Sequence, residues 1–109
     1  MDTTFQLDVC GEYTVEDPTD EEIRSGLAEL DQIQNDAFAI LSQSEETYMQ
    51  TAGDRQSGFV LEYQEGDLNN HYQATNRQIS LAEVTAAFMA FRRGLTDWKT
   101  RFTWEKINL

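Results

Sequence analysis

The 109-residue chain, 39% apolar and 26% charged, has the composition of one ordinary globular domain spanning residues 1–109, with too little length for two. One cysteine (Cys10) and one histidine (His71) rule out a disulfide framework and a four-ligand zinc site. A net charge of −12 makes nucleic acid and anionic membranes unfavourable partners. No apolar run nears the ~20 residues that cross a bilayer, and MDTTFQLDV lacks a signal peptide's basic flank and apolar stretch, so the expected compartment is the cytoplasm.

Phe5, Leu7, Val9, Gly11, Tyr13 and Val15 alternate with polar or small residues, which predicts a strand with one buried face, bulged or divided in two at Gly11. Cys10 falls on the polar side with no base next to it, so it reads as an unreactive thiol. Asp17-Pro18 ends the strand. Thr19-Asp20-Glu21-Glu22 then reads as a capping box, opening a helix whose inward stripe is Ile23, Leu27 and Leu30.

Ala37 to Leu41 is apolar on both parities, the pattern of a central strand covered on both faces. A further strand around Tyr48 and Met49 is expected, then a polar loop over 52–58. Next comes a strand with Phe59, Leu61 and Tyr63 on one face. Gly66-Asp67 turns into a short partner strand over 70–75, with Tyr72 and Ala74 inward and His71 facing solvent. Ser80-Leu81-Ala82-Glu83 is a second capping box, followed by Leu81, Val84, Phe88, Phe91 and Leu95 at helical spacing, with Gly94 as the stop. Residues 97–107 suit a last strand with Phe102 and Trp104 on one face, Trp98 and Trp104 closing the core. Strands in direct succession imply antiparallel pairing. The expected fold is therefore α+β, a mainly antiparallel sheet of five or six strands with two helices mainly against one face.

The charge is unevenly distributed. Residues 1–50 hold 13 acids and one base, whereas residues 51–109 hold seven of each. Part of the excess has a local explanation, since acids in a first helical turn complement the helix dipole, and acidic surfaces also keep proteins in solution. The remainder suits a basic partner, because complementary charge raises association rates by roughly 10- to 1,000-fold. The candidate partner-binding residues are Glu12, Glu16, Asp17, Asp20, Glu21, Glu22, Glu29 and Asp31, followed by Glu45 and Glu46.

Catalytic motifs are lacking: Gly53 and Gly58 precede a strand rather than a helix, no serine lies in a Gly-x-Ser-x-Gly turn, and no run has the spacing of a calcium loop. No catalytic, cofactor-binding or metal-binding residue is assigned. The segments Tyr48-Met49-Gln50, Gly58 to Gly66, His71-Tyr72, Ser80 to Val84 with Phe88 to Gly94, and Trp98 to Trp104-Glu105 resemble the small α+β immunity proteins of bacterial polymorphic toxin systems. The likeness is to the first-catalogued group, often paired with deaminase toxins, and covers about residues 47–105. It implies a non-catalytic inhibitor that binds a cognate toxin domain through the acidic face or the loops at 52–58 and 66–70. Two alternatives stay open: a small module that homodimerises through its first strand, and a carboxylate-dependent enzyme using an acid pair near His71.

Overall fold

The computed structural model describes residues 4–32, 37–54 and 56–107. They form a seven-stranded antiparallel sheet: β1 (Gln6–Val9), β2 (Tyr13–Glu16), β3 (Ala37–Ser42), β4 (Tyr48–Asp54), β5 (Gly58–Gln64), β6 (His71–Ala74) and β7 (Trp104–Lys106). The order across the sheet is β2-β1-β3-β4-β5-β6-β7. Helix α1 (Asp20–Ala28) lies between β2 and β3 in the chain, and α2 (Leu81–Arg92) and α3 (Trp98–Arg101) between β6 and β7. This is the expected α+β domain with two longer helices.

The expected first strand is two strands. Cys10 and Gly11 both take positive φ, 56° and 70°, as a tight hairpin turn demands, while Glu12 N–H donates to the Val9 carbonyl. The Asp8 carboxylate accepts from Gly11 N–H at 2.8 Å, and Cys10 ends half-buried in that turn. Pairing Leu7 with both Val15 and Leu41 places β1 inside the sheet and leaves β2 as the edge.

The Thr19 capping box forms with both arms: its hydroxyl accepts from Glu22 N–H, and the Glu22 carboxylate accepts from Thr19 N–H. Ile23, Leu27 and Leu30 are fully buried, as their spacing predicted. At α2 only half of the expected box exists. The Ser80 hydroxyl accepts from Glu83 N–H but donates to the Glu83 carboxylate, which is thereby diverted from the Ser80 backbone. Helix α2 stops at Arg92; Gly94 takes φ 78°, and its N–H and that of Leu95 donate back to Phe91 and Ala90. Leu95 therefore lies beyond the helix and is half exposed instead of joining the apolar stripe.

Only the second part of the C-terminal segment is a strand, because Trp98–Arg101 coils into a helical turn first. That turn drops Trp98 into the core at 5.8 Å from Trp104, and both rings stand edge-on to Tyr63. Strand β4 reaches Asp54, so the expected loop over 52–58 is shorter than predicted, and Arg55 within it lies outside the described residues.

The core is a single layer between helices and sheet: Leu7, Val9, Leu41, Met49, Leu61 and Tyr63 from the strands, with Ile23, Leu27, Val84, Phe88 and Phe91 from the helices. The expectation that β3 is covered on both faces fails. Ala37, Ala39 and Leu41 are buried under the helices, but Phe38 and Ile40 point to the opposite, helix-free side and are only half-buried.

Candidate functional site

The helix-free face is built by strand register. One row across it is Glu16, Gln6, Ser42, Tyr48, Gln64 and His71. The next is Thr14, Asp8, Ile40, Gln50, Glu62, Gln73 and Glu105. A third, shorter row is Phe38, Ala52 and Val60. The face thus has an apolar centre of Phe38, Ile40, Val60 and the Tyr48 ring, with amides and carboxylates around it. At the Glu16 end it opens into a cavity of about 500 Å³ spanning β2, β1, β3, β4 and the loop after β3. The cavity is lined by Gln6, Glu16, Ile40, Glu45, Tyr48 and Gln50 among others, with no Lys or Arg among the described residues.

His71 projects onto this face, as its parity predicted, but it is not solvent-facing: only 3% of it is exposed. Its Nε2 lies 2.7 Å from a Glu62 carboxylate oxygen and its Nδ1 3.1 Å from Gln64 Oε1, while Tyr48 stands edge-on to the ring. The Gln64 amide is oriented by donating to the Glu46 carbonyl, and Gln50 donates to the same Glu62 oxygen. The imidazole is therefore a fixed strut that aims Glu62 and the Tyr48 row. Burial, reinforced by the charge of Glu62, raises the Tyr48 phenol above its ordinary value and keeps it neutral.

The eight candidate acids all lie along the edge formed by β2 and α1, in two groups. Glu16, Asp17, Asp20, Glu21 and Glu22 surround the start of α1; Glu12, Glu29 and Asp31 lie at its other end. A nine-residue helix separates the groups by about 13 Å, more than the ~8 Å over which salt screens exposed charges. Several of these acids also have structural work. Asp17 accepts from Phe5 N–H, Glu22 caps α1, and Glu29 accepts from the Tyr13 hydroxyl. Asp20 pairs with Arg93 and Glu21 with Arg24, both exposed pairs that leave the carboxylates accessible. The Tyr13 phenol is pushed up to about 12, first by burial of its hydroxyl end against α1, then by its hydrogen bond to Glu29 and by surrounding negative charge. Glu45, in the loop after β3, faces the same cavity as Glu16 and so extends the first acidic group onto the helix-free face.

Sequence reading missed Phe38, Ile40, Gln50, Val60, Glu62 and Gln64 as members of a surface. The signal in the chain is the double-parity apolar run of β3, a pattern shared by a strand covered on both faces and by one with an apolar outer surface. Among the described residues no group of three or more His, Cys, Asp or Glu is placed to hold a metal ion, and no helix is long and apolar enough to cross a membrane. No family model matches the chain, and no curated protein or solved structure matches it.

Proposed function

We propose that this protein is a non-catalytic, immunity-type inhibitor that binds a basic bacterial toxin domain and neutralises it by occupancy. The observation that carries this reading is the gathering of Glu16, Asp17, Asp20, Glu21 and Glu22 around the start of α1, continuous through Glu45 with an uncovered sheet face. Such a field attracts a cationic substrate groove and competes there with an anionic substrate. The likeness of residues 47–105 to the immunity proteins supplies the biological class.

The test is to express the C-terminal domain of the protein encoded by the neighbouring reading frame, which this reading requires to be toxic alone, with and without this chain. Restored growth and an isolable complex are expected, and growth arrest with no complex overturns the reading. Charge reversal at Glu12 and Glu21 leaves the α1 cap intact. It should slow association at least several-fold at low salt and much less at high salt; a rate indifferent to both would remove the acidic edge from the account.

A further inference from the structure

We propose that the helix-free face docks a basic segment of a protein partner, with an arginine side chain of that segment entering the cavity between Glu16 and Glu45. This rests on the partner-binding function above and adds the surface and its chemistry.

A sheet covered on one side normally turns polar residues outward. Here Phe38 and Ile40 of β3 and Val60 of β5 occupy outward positions and stay half-buried on the side away from the helices, with the β1–β2 turn at Gly11 coming near the Phe38 ring. An apolar, partly aromatic centre inside a polar and charged rim is the layout of a protein-binding surface. Seven strands at ~4.8 Å spacing make the face about 29 Å wide, the breadth of a standard half-interface.

Charge complementarity selects the occupant. Among the described residues, neither Glu16 nor Glu45 has an ion-pair partner and no base lines the cavity. An arginine matches this lining part by part: Ile40 for its methylene stem, the Tyr48 ring for stacking, and the carboxylates with the Gln6 and Gln50 amides for its five N–H donors. Glu62, held by His71 and Gln50, adds a pre-oriented acceptor farther along the face. A second copy of this chain fits less well, because five of its seven described bases already sit in ion pairs.

The experiment is an NMR titration of the full chain, labelled with ¹⁵N, using the blocked peptide Gly-Arg-Leu-Arg-Gly and its counterpart with glutamates for arginines. Saturable shifts at the Gln6, Ser42 and Gln50 amides are expected with the arginine peptide alone. The double variant Glu16→Gln, Glu45→Gln should weaken binding about tenfold, and Gln43→Lys, which puts a competing cation at the cavity wall, should do at least as much, whereas Glu83→Gln, at the start of α2, should not matter. Shifts centred on α1, equal response to both peptides, no saturable shift, or shifts that follow protein concentration instead would each overturn the proposal. If the peptide binds here and no toxin domain does, the immunity reading falls alone. If a toxin domain binds and leaves these amides unmoved, the docking face falls and the immunity reading stands.

Discussion

Gly26 sits in the middle of α1 where propensity alone would favour alanine by nearly ~1 kcal/mol. It is buried against β1, and a Cβ there would lie 3.1 Å from Val9 Cγ2 and 3.2 Å from Leu7 Cδ2. Both neighbours are themselves 2% exposed or less, so neither can retreat without disturbing the core. Overpacking of this kind costs roughly 1–3 kcal/mol and outweighs the propensity gain. Gly26→Ala should therefore destabilise the protein by about 1 kcal/mol net, seen as a lower urea midpoint, and a raised midpoint would show that β1 and α1 have slack between them. His71 makes the complementary point: the residue type was visible in the chain, but its burial depends on Tyr48, Glu62 and Gln64, which approach it from two other strands.

The two helix starts look alike in sequence and differ in space. Thr19 and Glu22 exchange hydrogen bonds, whereas Glu83 binds the Ser80 hydroxyl and leaves the Ser80 N–H unserved by that arm. Losing a cap costs ~1 kcal/mol, and at Thr19 the loss also releases Glu22 from its reciprocal position. Glu22→Ala should thus destabilise the protein by several tenths of a kcal/mol, and Glu83→Ala by less, both read from denaturant midpoints; equal effects would mean that the second box closes in solution. The helix starts at Thr19 and Ser80, the strand parities of β5 and the inward stripe of α1 were all legible, because each is fixed by neighbours within a few residues. The helical turn at Trp98–Arg101 was not. It exists because Trp98 must reach Tyr63 and Phe91, a demand set by the core and not by the local pattern.

Across the whole molecule, the aromatic cluster joining α2, α3, β5, β6 and β7 has a consequence for stability against pH. Burial, then the nearby Glu65 charge and Tyr72, pushes the Tyr63 phenol up to about 12. A phenol that holds its proton more tightly when folded contributes stability that is complete below its unfolded value of about 10. That contribution is lost as pH rises through 12. Stability measured in urea should therefore fall across roughly pH 10–12, and Tyr63→Phe should shrink that fall; an unchanged slope would place the alkaline sensitivity at Tyr13 and Tyr48. The same scale decides the homodimer alternative's geometry. Of the long first strand invoked for that dimer, the β1 half is interior and the β2 half is a sheet edge, so a strand-edge dimer would use β2 or, at the other end, β7.

By itself, the sequence determined the α+β class, the antiparallel succession, the faces of β5 and α1, and an acidic first half, because periodicity, caps and charge counts are local properties that survive any arrangement of the elements. What the pattern left open, and the packing settled, is that the second face of the sheet stays bare of helices even behind the doubly apolar β3. Covering one face and not the other turned Phe38 and Ile40 from expected core into surface, sank His71 beneath Tyr48 and Glu62, and split the acids into two groups along one edge. Such outcomes depend on which strands become neighbours, and the energy that selects neighbours is the burial of side chains distant in the chain.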